Sequence, residues 1–213
     1  MKALVTAFEP FGNDKINPSA LAIALLKKRM GSIAVHTAVL PTSYARSAIA
    51  LRGAIVETRP DIVLCVGLAG GRAELCLERV AINVQDARIR DNDGKQPIDK
   101  PVVADGPAAH FATLPIKACV SGMRKAGLPA AVSNTAGTFV CNHIFYSLMD
   151  FLARHDLPIR GGFMHVPYAT EQAARLDGPP SMAIEDIARG IEIVLSVSAA
   201  RTIDLRTAEG RLS

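Results

Sequence analysis

A nearly unbroken apolar run in the first third of the chain limits what the chain can fold into. Residues 61–67 read DIVLCVG, and a glycine-rich turn at 67–71 follows at once. A strand with one face in water alternates apolar and polar residues, whereas a strand covered by helices on both faces is apolar throughout. The run therefore predicts a central strand of a parallel sheet that is sandwiched between helices.

The rest of the chain alternates short apolar runs with longer segments of helical period. This order predicts a three-layer α/β/α fold around a mainly parallel, mixed sheet, and 213 residues are enough for one such domain over 1–213 but few for two. The predicted strands are 2–7, 33–39, 61–67, 78–84, 130–133 and 162–166, and the predicted helices are 18–30, 43–57, 114–126, 141–154 and 181–199. A long polar segment at 85–107 has no predicted element, and such a segment in a compact domain is usually functional.

Composition excludes several classes of partner. The formal charge is +4, but Lys and Arg are spread along the chain without interleaved aromatic residues, so we expect no nucleic-acid partner. No apolar run reaches the roughly 20 residues of a membrane span, and the first residues lack a signal-peptide cleavage pattern. The four cysteines form no CxxC pair, which indicates free thiols and a cytoplasmic protein. The spacing of Cys141 and His143 is wrong for zinc, and we expect neither a metal nor a cofactor.

Cys141 is the best candidate for a nucleophile. It follows a polar turn at 133–140 and opens a predicted amphipathic helix. A thiol has a pKa of about 8.5, and a helix amino terminus lowers that value by at most about one unit. The helix alone is therefore insufficient, and a neighbouring imidazole is needed.

His165 is the best placed of the five histidines to be that base. It ends a predicted strand, and sites in open α/β sheets form outside the carboxyl ends of strands. His143 points away from Cys141 because side chains two residues apart on a helix diverge, and we interpret it as a solvent or subunit contact. His155 is interpreted as a helix cap.

A histidine base needs an acceptor on its other nitrogen, usually a carboxylate. Glu78, at the start of a predicted strand, is the first candidate, and Asp91 in the long polar segment is the second. The sequence leaves open an ordinary salt bridge from Glu78 to Arg72 or Arg79.

Several motifs together resemble the pyroglutamyl peptidase I (pyrrolidone-carboxylate peptidase) family of cysteine peptidases. The resemblance extends to about residue 199 and is carried by FEPFG at 8–12, VGLAGGR at 66–72, LERVAIN at 77–83, DARIRDN at 86–92, SNTAGTFVCN at 133–142 and FMHVP at 163–167.

The resemblance implies a thiol protease that removes an N-terminal pyroglutamyl residue from small peptides. It implies a triad of Cys141, His165 and Glu78, with acyl transfer to Cys141, and assembly as a homotetramer. Arg88 is expected to add positive charge near the reacting carbonyl. The residues expected to wall the substrate pocket are Phe8, Phe11, Ile89, Phe139 and Val140.

The chain departs from the family pattern at three positions. Ala7 stands where the family commonly has Gly, Leu68 where it has Gln, and Arg90 where it has Pro. Leu68 removes a polar side chain beside the expected pocket, which leaves recognition there to backbone groups.

Two other classes of function stay open from the sequence. The glycine-rich turn after residue 67 suggests a nucleoside- or nucleotide-binding α/β protein, although it matches neither GxGxxG nor GxxxxGK[ST]. A non-catalytic binding protein on the same scaffold is the other alternative, because fold alone does not fix function.

Overall fold

A computed structural model describes residues 1–12 and 14–210, and a seven-stranded sheet lies at its centre. The strands are β1 (Lys2–Phe8), β2 (Arg29–Met30), β3 (Ile33–Leu40), β4 (Ile62–Leu68), β5 (Leu75–Glu78), β6 (Val80–Ile82), β7 (Ala109–Phe111), β8 (Ala130–Ser133), β9 (Arg160–Val166), β10 (Tyr168–Ala169) and β11 (Ser181–Met182). The helices are α1 (Pro18–Ala24), α2 (Ser47–Thr58), α3 (Ile116–Lys125), α4 (Val140–Arg154), α5 (Thr170–Ala173) and α6 (Ile184–Ala200).

The main sheet has the strand order β2-β3-β1-β4-β9-β5-β8. Its pairs are parallel except for β2 with β3 and β5 with β9. Every residue of β4 is buried, as the apolar run predicted. The prediction of a mainly parallel, mixed sheet is confirmed.

Two apolar cores lie on opposite faces of this sheet. One core packs α1, α3 and α6 against the sheet, and the other packs α2 and α4. Each helix contributes an apolar stripe to one of these cores, which is the arrangement that buries both faces of a parallel sheet. The predicted three-layer architecture is thus confirmed.

The first helix is shorter than the sequence indicated. It ends at Ala24, and β2 follows where the sequence predicted helix up to residue 30. Gly31, with a φ of +56°, starts a two-residue turn that pairs Met30 with Ile33. Glycine tolerates this left-handed conformation, so the segment forms a β-hairpin instead of a helical turn.

Glu78 ends a strand of the main sheet, whereas the sequence predicted that it starts one. β5 pairs with β8 up to Glu78 opposite Ser133, and the chain then leaves the sheet to form β6, which pairs with β7. The predicted strand at 78–84 was therefore wrong in its bounds. The correction places the Glu78 carboxylate at the end of a sheet strand.

The long polar segment is organised around a buried carboxylate. Asp91 accepts hydrogen bonds from the backbone N–H groups of Tyr44 (2.9 Å), Asp93 (3.0 Å) and Lys95 (2.7 Å). One isolated bridge pairs Gln85 with Lys100. Asp91 thus fixes the conformation of the segment and joins it to the turn before α2.

Over residues 1–12 and 14–210, no helix is both long enough and apolar enough to cross a membrane.

Asn142 connects helix α4, which carries Cys141, to β6 and the residues that follow it. Its buried amide donates to the carbonyls of Ile82 and Val84, both at 2.9 Å, and accepts from the Ile82 N–H at 3.0 Å. We expect Asn142→Ala to lower the free energy of unfolding by about 3 kcal/mol, because it removes three part-buried hydrogen bonds between a buried amide and the backbone. Urea denaturation measures the change. Ser147→Ala on the same helix is the matched control, and an equal loss in both variants would contradict this assignment.

Candidate active site

The candidate nucleophile and base meet at the carboxyl edge of two parallel strands. β4 and β9 run side by side, with Gly67 opposite His165, and α4 brings Cys141 to the same edge. A methyl group added at Gly67 would lie 2.9 Å from the Cys141 sulfur, so the sulfur rests directly against this glycine. Cys141 and His165 line one pocket.

The first turn of α4 leaves its backbone donors available. Its N-cap residue is Phe139, which makes no side-chain capping hydrogen bond. The first N–H groups of a helix have no partner within the helix, and the helix dipole favours negative charge there. The Cys141 N–H therefore belongs to a group of donors that can stabilise an anion beside the sulfur.

Glu78 holds the second ring nitrogen of His165. The Nδ1 atom of His165 lies 2.7 Å from Oε1 of Glu78, and the Glu78 side chain is fully buried. Burial raises the pKa of Glu78, but the hydrogen bond and the charge of His165, with smaller contributions from the nearby Ser133 hydroxyl and the charge of Arg72, outweigh burial and leave the pKa below its usual value. An ionised carboxylate can only accept, so Nδ1 carries the proton and Nε2 is the free basic nitrogen.

The thiol of Cys141 is neutral in the free protein. Burial, and secondly the charge of Glu78, raise its pKa to about 12, and the opposing effect of Arg72 is smaller. The helix dipole is worth at most about one pKa unit and cannot reverse a shift of this size. The sulfur must therefore give up its proton during attack, which requires a base within reach.

A pocket of about 760 Å³ opens above the sulfur. All five predicted wall residues line it, and so does Arg88. Phe8 and Val140 are nearly buried and also belong to the core under α4, whereas Ile89 is 47% exposed at the rim. The aromatic walls are braced against each other, since the rings of Phe11 and Phe139 lie 6.0 Å apart.

Two sequence-based interpretations need correction. Asp91 binds only its own segment and the turn before α2, so it is not placed to orient His165. His143 is buried with its ring 5.4 Å from that of Tyr44, whereas the sequence suggested a solvent or subunit contact. It is buried because α4 packs this face against the turn before α2. Burial lowers the pKa of His143 to about 4, so it is a neutral part of the core. His155 is the C-cap residue of α4, as expected.

Arg72 and Tyr168 are among the pocket residues that sequence reasoning missed. Arg72 binds Glu78 at 2.7 Å and lines the pocket, whereas the sequence offered this ion pair only as an alternative to a role in the site. Tyr168 also lines the pocket, and its hydroxyl would lie 2.5 Å from a methyl group added at Gly70. The signal for Tyr168 was the glycine-rich turn itself, because Gly70 lacks a side chain where the tyrosine approaches.

Among the described residues, no group of three or more His, Cys, Asp or Glu side chains is arranged to hold a metal ion.

A thiol, an imidazole and a buried carboxylate at the carboxyl edge of an α/β sheet are the parts of a cysteine hydrolase. A family model described as pyroglutamyl peptidase matches residues 1–201. The chain belongs to the pyroglutamyl peptidase family, which is a family of cysteine-type omega peptidases. The resemblance and the enzyme class that the motifs indicated are confirmed.

Individual relatives agree over nearly the full length. The chain is 53% identical to the pyrrolidone-carboxylate peptidase of Cupriavidus taiwanensis, covering 98% of each chain. It is 51% identical to pyrrolidone-carboxylate peptidase 1 of Ralstonia nicotianae, again covering 98% of each. The crystal structure of pyroglutamyl peptidase I from Bacillus amyloliquefaciens matches with a TM-score of 0.94 at 44% identity, covering 97% of this chain and 99% of that one. A nucleotide-binding function is not favoured by these relatives.

Gly67 offers a test of the packing under the sulfur. A methyl group at this position would approach both the Cys141 sulfur and the Phe163 ring to 2.9 Å. We expect Gly67→Ala to displace the sulfur and to lower kcat/KM by about 10²-fold, the usual cost of misplacing a reacting group by an ångström. Gly53→Ala on α2, where a methyl group meets nothing within 4 Å, is the control. Unchanged kinetics in Gly67→Ala would contradict the position of the sulfur.

Proposed function

We propose that Cys141, His165 and Glu78 hydrolyse the amide bond that follows an N-terminal pyroglutamyl residue. The observation that carries the proposal is the 2.7 Å contact between His165 Nδ1 and the buried Glu78 carboxylate, at the edge where the Cys141 sulfur lies. The family to which the chain belongs supplies the reaction.

Acylation begins with a neutral thiol. Nε2 of His165 takes the thiol proton as the sulfur attacks the pyroglutamyl carbonyl, and the Glu78 carboxylate stabilises the imidazolium that forms. The imidazolium then gives this proton to the leaving amine, the C–N bond breaks, and a thioester remains on Cys141. This order follows from the raised pKa of Cys141, which favours the neutral thiol before substrate binds.

Deacylation repeats the transfer with water. Nε2 of His165 takes a proton from water, the hydroxide attacks the thioester, and the proton returns to the departing sulfur. In both halves the tetrahedral oxyanion accepts from the Cys141 N–H in the first turn of α4, which has no side-chain cap. Arg88 at the rim adds positive charge on the same side.

The pocket walls suit a flat, uncharged lactam. Pyroglutamate has one ring N–H, one ring carbonyl and no α-amine, so its recognition needs apolar walls and a few hydrogen bonds. Phe11, Phe139 and Ile89 supply such walls. Leu68 is buried beside the pocket, so backbone groups of the turn make the polar contacts there.

The cellular setting is part of the proposal. All four cysteines are free, which supports a reducing compartment and hence the cytoplasm. From the family resemblance we also propose that the chain forms a single domain over 1–213 and assembles as a homotetramer. Light scattering on the protein as it elutes from a size-exclusion column measures the assembly.

Replacement of the nucleophile tests the reaction most simply. We expect Cys141→Ser to lower the rate on a pyroglutamyl-coumarin amide by at least about 10³-fold, because a serine hydroxyl is a far weaker acid than a thiol in this site. Iodoacetamide abolishes wild-type activity in the same assay. Cys119→Ala, which lies in the core under α3 and α6, retains activity and sensitivity to iodoacetamide. Retained turnover in Cys141→Ser would remove the assignment.

Replacement of the buried carboxylate tests how His165 is held. In Glu78→Gln the amide can donate to Nδ1, which moves the imidazole proton to Nε2 and removes the base. We expect kcat to fall by about 10²- to 10⁴-fold with little change in KM, as for other catalytic triads that lose their carboxylate. Steady-state kinetics from pH 5 to 9 measure the loss, and a variant with wild-type kcat would exclude this role for Glu78.

A further inference from the structure

We infer that Arg72 is a positioning residue of the site, which keeps Glu78 ionised and aims its shared oxygen at His165. The inference rests on the proposed function and extends it to a residue of the glycine-rich turn. Arg72 thereby acts on the protonation of the triad as well as on the stability of the fold.

A single oxygen atom of Glu78 receives two donors. Arg72 donates from Nη1 to Oε1 of Glu78 at 2.7 Å, and His165 Nδ1 lies 2.7 Å from the same oxygen. The guanidinium and the imidazole therefore fix the carboxylate from two directions. The two donors converge on Oε1 and restrict rotation of the carboxylate, whose Oε2 atom is buried and has no hydrogen-bond partner among the described residues.

The buried charge of Glu78 also needs a cation nearby. The Glu78 side chain is fully buried, and an ionised carboxylate in such a place is costly unless it is paired. His165 supplies a hydrogen bond, and it supplies a counter-charge only in its protonated form. Arg79 follows Glu78 directly, yet it turns away and donates from Nε to Asn134 at 2.8 Å. The counter-charge for Glu78 therefore comes from Arg72.

Arg72 is linked to the nucleophile as well. The Nη2 atom of Arg72 donates to the carbonyl of Thr135 at 3.1 Å, and Thr135 lies in the turn that leads into α4. The backbone of Arg72 is fixed in turn by a hydrogen bond to the Ala69 carbonyl at 3.3 Å. One guanidinium thus connects the carboxylate with the turn that places Cys141.

The positions of the neighbouring groups determine the direction in which Arg72 shifts their pKa values. The titratable groups facing Glu78 are His165 from β9, Arg72 from the turn, Cys76 from β5 and Cys141 from α4, and the Ser133 hydroxyl approaches from β8. Arg72 is the only permanent cation in this set. Removing it makes proton uptake easier at Glu78, Cys76 and Cys141, so the pKa values of these three groups rise.

The test compares Arg72→Met with Arg72→Lys. We expect Arg72→Met to lower kcat on a pyroglutamyl-coumarin amide by about tenfold, the cost of one charge-assisted hydrogen bond. The acidic limb of its kcat/KM profile moves to higher pH by about half a unit or more, because the triad then binds protons more readily. Arg72→Lys keeps the charge, so its acidic limb stays at the wild-type position and part of the kcat loss is restored.

Arg79→Met is the matched control, because it removes an adjacent arginine that does not touch Glu78. Thermal unfolding confirms that each variant is folded. A folded Arg72→Met enzyme with a wild-type acidic limb would overturn the inference, and so would an equal shift in Arg79→Met.

A second measurement separates this inference from the proposed function. The alkylation rate of Cys141 by iodoacetamide reports the thiolate fraction without any substrate. We expect the alkylation profile of Arg72→Met to move to higher pH, since the nearby charge of Arg72 lowers the pKa of Cys141. This shift appears even if the wild-type chain does not cleave pyroglutamyl substrates, and its absence contradicts the role of Arg72 alone.

Discussion

The hydrogen bond between His165 and Glu78 is the interaction on which the proposed site depends. It joins two strands that run antiparallel, β9 and β5, at a point where the carboxylate is fully buried. Burial by itself would favour the protonated acid, which would leave His165 without a fixed tautomer. The donors Arg72 and His165 favour the ionised carboxylate instead. The buried negative charge of Glu78 then keeps the imidazole proton on Nδ1 and leaves Nε2 as the basic nitrogen.

Desolvation likewise favours the protonated form of the Cys141 thiol before substrate binds. Its pKa is raised to about 12, because the apolar residues that line the proposed lactam pocket also desolvate the thiol. In the proposed mechanism, substrate selection and thiol ionisation are therefore opposed, and His165, which lines the same pocket, resolves this conflict by taking the thiol proton during attack. A site open to water would ionise the thiol more easily but would bind an uncharged ring less well.

Much of this arrangement could be predicted because it follows from periodicity and local chemistry. The fully apolar run at β4 predicted a helix-covered central strand, and the polar turn before an amphipathic helix singled out Cys141. The end of the Gly162-Phe163-Met164 run placed His165 at the correct edge of the sheet. Each of these features is determined by residues that are close together in the sequence.

The remaining features depend on contacts between distant segments. The apolar pattern continues past Glu78 and so predicts the start of a strand there, and only pairing with Ser133 shows that the sheet strand ends at this residue. Nothing near Arg72 in the sequence shows that its guanidinium shares an oxygen with His165. Likewise Asp91 has the right chemistry for an orienting carboxylate, but it is occupied by three backbone N–H groups, two from its own segment and one from the distant Tyr44.

The position of the proton on the His165 ring decides whether Glu78 orients the base. Nitrogen-15 NMR of histidine-labelled protein near neutral pH distinguishes a ring protonated at Nδ1 from one protonated at Nε2. We expect a neutral His165 ring with its proton on Nδ1, far downfield in the proton spectrum because it is donated to Glu78. A neutral ring protonated at Nε2, without a downfield proton, would show that Glu78 does not hold the imidazole as a base for Cys141.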